Sequence, residues 1–319
     1  MAGMKLLHAI CPGILLTVSS GISSAVASEF EVVKTDAVLI SAAESARERL
    51  RRAELLEITE ALREIYAELQ KTNVPDLERS RRLAPIAARY ENLIQQFPND
   101  AEALVLYAKF LRDGGDDAGA REYFEKVQKL KPDWAVVYQQ LAAIAAEEGD
   151  VSRALPLMQK ALALEPGTIV YQLQYGELLT MFREKLLKLK IFETPERLDR
   201  TMQNAFRAAR ALAPQSPNTA IRYAESFYDV VAPDWSAALD AWNMARKNLM
   251  SSPDFGTNPA VSQFMRETID LHRARAYAEL GNYAAAEEII RSVKDERLAH
   301  SRKRIRQMIF EKRNLIRRK

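Results

Sequence analysis

Three prolines, Pro98, Pro132 and Pro166, follow one another at intervals of 34 residues. In the same frame Gly115 matches Gly149, Asp116 matches Asp150, Ala120 matches Ala154 and Leu130 matches Leu164. So many coincidences at one offset restrict the chain to a repeat architecture, and a period of 34 with this content is that of a helix-turn-helix unit. Each matched type has a physical task. Pro132 and Pro166 stop helices that end at Leu130 and Leu164, because proline cannot continue a helix interior. Gly115 and Gly149 lie between two helical patterns, where a tight turn favours a residue without a Cβ. Ala120 and Ala154 are small, as needed where two helices cross closely. Phe124 with Val127, and Met158 with Ala161, continue an apolar stripe at helical spacing.

Composition agrees with helices. The chain has 319 residues, 48% hydrophobic and 28% charged, with only 11 glycines and 13 prolines. Ala, Leu, Glu, Arg and Lys dominate, and these are good helix formers. Such a mixture predicts a folded chain and excludes general disorder.

The segments "AEALVLYAKFLRDGGDDAGAREYFEKVQKLKP" and "AVVYQQLAAIAAEEGDVSRALPLMQKALALEP" resemble two consecutive tetratricopeptide repeats. "HRARAYAELGNYAAAEEIIRSV" resembles another, with Ala274, Tyr277, Gly281, Ala286, Ile290 and Val293 in place. Ile86, Tyr90, Leu93 and Pro98 look like the second helix of an earlier unit. Two degraded units lie between the clear ones. One contains the large-small pair Tyr175-Gly176 and closes with Phe206, Ala209 and Pro214; the other runs through Tyr223-Ala224 and Phe227 to Ala238, Trp242 and Ala245. The resemblance implies an all-α, right-handed α-solenoid of five to six helical hairpins with capping helices at both ends.

Pro166 and Pro214 are 48 apart, so about 14 extra residues enter the third unit. The reading here is an overlong first helix to about Lys190, a loop, and a new helix with Thr194 as N-cap and Pro195 as first helical residue. Leu186, Leu187, Leu189, Ile191 and Phe192 are expected to pack on the neighbouring unit, with a partner contact as the alternative. "SSPDFGTNPAVS", from Ser251, reads as a surface loop.

The two ends differ from the middle. Residues 1–27 read as a signal peptide: Lys5 is positive, Leu6 to Val18 is largely apolar, and Ala25-Val26-Ala27 fits small-x-small cleavage before Ser28. Pro12, Gly13 and the serines at 19, 20, 23 and 24 argue against a spanning helix. The single cysteine, Cys11, falls in this stretch, which excludes an internal disulfide framework. Export to the periplasm or cell envelope follows as an expectation. Residues 28–80 are expected to form a linker and a long capping helix, its apolar stripe built from Leu50, Leu55, Ile58, Leu62, Ile65 and Leu69. Residues 81–295 would be the repeat domain and 296–319 a basic helix or tail.

That tail holds Arg302, Lys303, Arg304, Arg306, Lys312, Arg313, Arg317, Arg318 and Lys319 against Glu311 alone, a charge of +8 in a chain of net +3, which leaves −5 for residues 1 to 300. Ile305, Met308, Ile309 and Ile316 form a helical stripe. A solvated capping helix paired with the acidic body is the first reading, and an anionic membrane surface is the alternative. Nucleic acid is not expected, because no groove-reading motif is present.

No catalytic residues, cofactor or metal site are expected. The histidines His8, His272 and His300 are scattered, no His-x-x-x-His pair appears, and neither a phosphate loop nor a nucleophile elbow is present. His272 reads as a partly exposed helix residue. The resemblance instead implies a concave face made by the first helices. It would carry Glu102, Val105, Lys109 and Arg112, then Gln139, Ala143, Ala146 and Glu147, then Leu173, Glu177 and Thr180. This partly apolar lining suits a peptide or helix of a protein partner. Val105, Gln140 and Val170 stand where the family's carboxylate clamp would place polar grips, so capture of peptide C-termini is not expected. A membrane protein acting through its tail, and an enzyme subunit using the repeats to position a substrate, remain as alternatives.

Overall fold

The computed structural model describes residues 46–71 and 74–317, so the signal-peptide reading, Arg318 and Lys319 lie outside the described residues. Fourteen α-helices and no strand occur among them, in two compact units divided after Pro132. In the first unit α1 (Ala46–Lys71) pairs with α2 (Asp76–Gln96), and α3 (Ala101–Asp113) with α4 (Asp117–Leu130). Leu55, Ile58, Leu62 and Leu69 of α1 are buried with Ile86, Tyr90 and Leu93 of the unit. Leu50 is 71% exposed and does not belong to that stripe, because it lies on the solvent side of α1. Residues 80 and 81 both fall inside α2.

The second unit contains four hairpins and a closing helix. α5 (Ala135–Glu147) pairs with α6 (Val151–Leu164), and α7 (Ile169–Met181) pairs with α9 (Pro195–Leu212), with the short α8 (Arg183–Lys188) between them. α10 (Pro217–Glu225) pairs with α11 (Trp235–Ser251), and α12 (Pro259–Glu279) with α13 (Tyr283–Ser292). α14 (Ala299–Arg317) then lies on α12 and α13. Within each unit this is an all-α helical-repeat fold of the solenoid class.

The period has a backbone cause. Phe97, Lys131, Glu165 and Ala213 each precede a proline, and each ends its helix with φ between −131° and −135° and ψ between 69° and 74°. A residue before proline is pushed out of the helical region by the pyrrolidine ring, so the same stop recurs wherever the proline does. Inside the hairpins, Gly115, Gly149 and Gly281 have φ of 85°, 74° and 80°. There the N–H of the next residue reaches back five positions: Asp116 to Leu111, Asp150 to Ala145 and Asn282 to Tyr277. This left-handed cap satisfies carbonyls that the helix end would leave open. Asp116, Asp150 and Asn282 then cap the second helix through their side chains.

The α7–α9 hairpin departs from the expected single long helix. α7 stops at Met181, Phe182 leaves helical geometry, and α8 follows as a separate element. The same left-handed cap closes α8, but with Lys190 (φ 55°) in place of glycine, while Ile191 N–H donates to Leu186 O at 3.1 Å. Leu186 and Phe192 are buried with Leu178, Leu179, Leu198, Met202 and Phe206, whereas Leu189 and Ile191 are 47% and 41% exposed. The same core includes Val151, Ala154 and Leu155 of α6, and Leu187 packs against it, so the inserted segment packs on its own hairpin and on the neighbouring one, as expected, and leaves Leu189 and Ile191 outside. Thr194 accepts from Arg197 N–H, and Pro195 opens α9.

Close helix approach sets the packing. Ala120, Ala154, Ala224, Ala238, Ala274 and Ala286 are fully buried. At Gly176 a Cβ would come within 2.5 Å of Phe206 Cε1 and Cζ. Where the sequence repeat decays, buried polar side chains hold the connections. Asn248 Nδ2 donates to Pro214 O at 2.8 Å, and Glu267 accepts from the backbone N–H groups of Lys294 (2.8 Å) and Asp295 (2.7 Å).

Two substitutions should move stability against their usual sign. Gly176→Ala in an unhindered helix would gain about 1 kcal/mol; here it should lose about 1–3 kcal/mol through overpacking. Lys190→Gly should gain up to about 1 kcal/mol by removing the left-handed penalty. Urea unfolding of both variants checks this, and a stabilised Gly176→Ala would refute the close-approach argument.

Candidate functional site

The first helices place the expected surface residues unevenly. In the first unit Val105 is buried, and Arg51 Nη1 of α1 lies 3.2 Å from Glu102 and 2.7 Å from Asp100. Arg112 Nε lies 3.8 Å from Asp117, and Lys109 is partly buried beside it on α3. Much of this stretch of α3 is therefore held by its own unit.

In the second unit the same helix faces are linked into a polar ladder. Gln140 Nε2 donates to Gln139 Oε1 at 2.9 Å, and Gln139 Nε2 donates to Gln174 Oε1 at 2.9 Å, tying α5 to α7. Gln139 is buried, Ala143 and Ala146 are partly exposed, and Glu147 is exposed. Leu173 and Ala146 pack against the core shared by the α5–α6 and α7–α9 hairpins. One turn beyond Leu173, Glu177 receives both Nε and Nη2 of Arg222 on α10. Arg222 also reaches Asp229 at 3.3 Å, Glu225 at 4.0 Å and Thr180 at 3.4 Å, and its guanidinium lies 4.0 Å over the Phe206 ring.

Three carboxylates thus surround one buried guanidinium. Burial opposes the charge on Arg222, but Glu177, Asp229 and Glu225 outweigh it and raise its pKa. Glu225 is the weak member. Burial pushes its carboxyl up to about 7, Arg222 draws it down, and Glu177 and Asp229 push it further up. Nearby, Arg183 pairs with Asp199, whose other oxygen accepts Val231 N–H at 2.9 Å.

The ladder ends in an aromatic group. His272 stacks on Trp242 with centroids 4.2 Å apart and planes 4° from parallel, and its Nδ1 lies 3.0 Å from Tyr228 Oη. Burial and Arg275 lower its pKa to about 3, so the imidazole is neutral and serves as a packed ring. Arg275 lies 4.5 Å over Tyr228 and 5.4 Å over Trp235. His272 is only partly exposed, as its sequence suggests, but its aromatic partners were not foreseen. Among the described residues, no group of three or more His, Cys, Asp or Glu is arranged to hold a metal ion.

Sequence reasoning reached Gln139, Leu173, Glu177 and Thr180 but missed Arg222, Glu225 and Asp229. A usable signal existed: Glu177 follows Tyr175-Gly176 as Glu225 follows Tyr223-Ala224, at the same spacing of 48 that separates Pro166 from Pro214.

Of the tail cations, Arg302 donates to Val293 O at 2.7 Å and lies 3.2 Å from Glu296, and Lys312 is 2.8 Å from Glu279. Arg306 is 3.8 Å from Glu287, Arg313 lies 5.2 Å over the Tyr283 ring, Arg304 is partly buried and Lys303 is exposed. Arg317 ends α14. Ile305 and Ile309 are buried with Leu298, Ala274 and Ile290, so α14 closes the last hairpin as a capping helix.

Helical hairpins with proline stops and small crossing residues define a helical-repeat protein. The sequence profile of the tetratricopeptide repeat matches residues 101–133. Among solved structures, PilF of Pseudomonas aeruginosa is similar at 15% identity and a TM-score of 0.50, over 78% of this chain and 93% of that one. YrrB, described as a TPR protein with an unusual peptide-binding site, gives 13% identity and a TM-score of 0.49 over 72% and 99%. PilW, a widely conserved type IV pilus biogenesis factor, gives 15% identity and 0.48 over 78% and 97%. No curated protein sequence matches significantly. The likeness to PilF is one of fold alone, and a helical-repeat fold is suited to protein–protein contacts.

The Glu225 carboxyl gives a signed prediction. Its folded pKa of about 7 exceeds its model-peptide value of 4.5, so the fold favours the protonated acid. Its contribution is present below pH 4.5 and is lost as pH rises through 7. Glu225→Gln should therefore melt higher than the wild type at pH 8, with the gap closing toward pH 4.5. Thermal melts across that range check it, and a gap that does not change with pH would count against it.

Proposed function

We propose that this chain is a non-catalytic adaptor or assembly scaffold of the cell envelope, holding a peptide or helix of a protein partner on its first-helix faces. The observation that carries the reading is the second-unit ladder. Consecutive first helices offer partly exposed Ala143, Ala146 and Leu173 beside the charged group of Glu177, Arg222 and Glu225. Cross-helix hydrogen bonds from Gln139 to Gln174 and from Arg222 to Glu177 fix the polar side chains of this face before a ligand arrives, which lowers the entropy cost of binding. Apolar contact with flanking charge is what an extended or helical peptide requires. The envelope location is supported by the leader-like residues 1–27 of the sequence.

The test is site-specific photo-crosslinking in envelope extract. A photoreactive residue at Ala143, on α5, is compared with one at Lys160, exposed on α6. One protein captured from position 143 but not from 160 is the expected result. Ala143→Arg should then weaken that partner by about tenfold or more, since a buried unpaired charge costs well over 1.4 kcal/mol. Equal capture from both positions, or none from 143, would sink the reading.

A further inference from the structure

The outer side of α14 carries a feature that capping does not use. Its inner side is committed: Ile305 and Ile309 are buried, and Met308 packs against the same core. On the opposite side Ala299, Arg302, Lys303, Arg306, Gln307 and Phe310 line a shallow depression of about 530 Å³. Phe310 is 61% exposed, an unusual position for a phenyl ring in water. Arg306 and Gln307 lie three and four residues after Lys303, and Phe310 lies four and three residues after them, so the ring and cations share one face.

Lys303 and Arg306 are weakly engaged. Arg306 sits 3.8 Å from Glu287 with half its side chain exposed, a pair that contributes little in water. Lys303 is exposed and has no ion pair among the described residues. Arg302 is anchored to Val293 O and Glu296 and so is committed to the body. The segment from 301 to 319 carries nine basic residues and one acid, Glu311, which accepts from Gln307 at 2.8 Å.

We infer that this face docks on an anionic lipid bilayer, with Lys303 and Arg306 meeting headgroup phosphates and Phe310 entering the headgroup–acyl boundary. The occupant follows from the pairing of features. Cations alone would suit any polyanion, but a protruding ring beside them is stabilised only where an apolar phase lies beneath the charges. A single exposed helix side also matches a broad flat surface better than a peptide, which needs a groove. This site is separate from the first-helix ladder and does not depend on the scaffold reading.

The experiment is flotation of the full chain with vesicles of phosphatidylglycerol and phosphatidylcholine in equal parts, and with phosphatidylcholine alone. The wild type should float with the anionic vesicles only, less so as salt rises. Lys303→Glu with Arg306→Glu should lower the partition coefficient by about tenfold or more. Phe310→Ala should lower it about tenfold with charge unchanged. All three side chains are exposed on a seated helix, and circular dichroism confirms that each variant is folded. Equal flotation of the wild type and the double variant would overturn the proposal, as would equal flotation on neutral lipid. Capture of a DNA duplex without flotation would assign the face to nucleic acid and overturn it too. Full competition by inorganic phosphate at constant ionic strength would mark a free-anion site and count equally against it.

Discussion

The close approach of paired helices is the constraint on which the other features depend. Ala120 and Ala154 are buried completely at their crossings, and Gly176 leaves no room for a Cβ beside Phe206. Interiors packed to crystal-like density transmit a displaced helix directly to its neighbours. Small residues at the crossings let each hairpin lie flat enough for the next to stack on it. Flat stacking in turn aligns the first helices within the second unit, and that alignment brings Gln139 to Gln174 and Glu177 to Arg222.

A second layer of interactions takes over where the repeat decays. The regular hairpins end in a glycine cap and a proline stop, both local backbone devices. In the degraded stretch, side chains from distant positions hold the connections: Asn248 on Pro214 O, Asp199 on Val231 N–H, and Glu267 on the turn before α14. Each is a buried polar group whose partner is a backbone atom that would otherwise lose water without compensation. The same region holds the Arg222 cluster, the most densely charged part of the first-helix face. Regular repeats supply the frame, and the irregular ones carry the distinctive electrostatics.

The expectations for the inserted segment show how far local pattern reaches. Helical periodicity through Lys190 suggested one long helix, yet the chain breaks at Phe182 because Leu186 and Phe192 gain more by folding back onto Leu198, Met202 and Phe206. The Thr194 cap and the Pro195 start, by contrast, were read correctly, since a cap depends only on adjacent residues. Leu50 fitted a helical stripe by spacing but lies on the solvent side of α1, because spacing alone does not say which turns of a helix have a partner to pack against.

The sequence by itself determined the helical hairpins, their stops, their left-handed turns and their small crossing residues. These are short-range requirements of proline, glycine and alanine, and they hold wherever the residue falls. It also determined the amphipathic character of the last helix, through Ile305 and Ile309. Only the tertiary structure decided which polar side chains meet. Glu177 and Arg222 are 45 residues apart, and Tyr228 and His272 are 44 apart. The positions of such pairs depend on the packing of intervening helices, where the length of one insertion shifts every later register. The same holds for α14: its basic residues are visible in the sequence, but the division into those that clasp the body and those that ring Phe310 arises from the face that Ile305 and Ile309 bury.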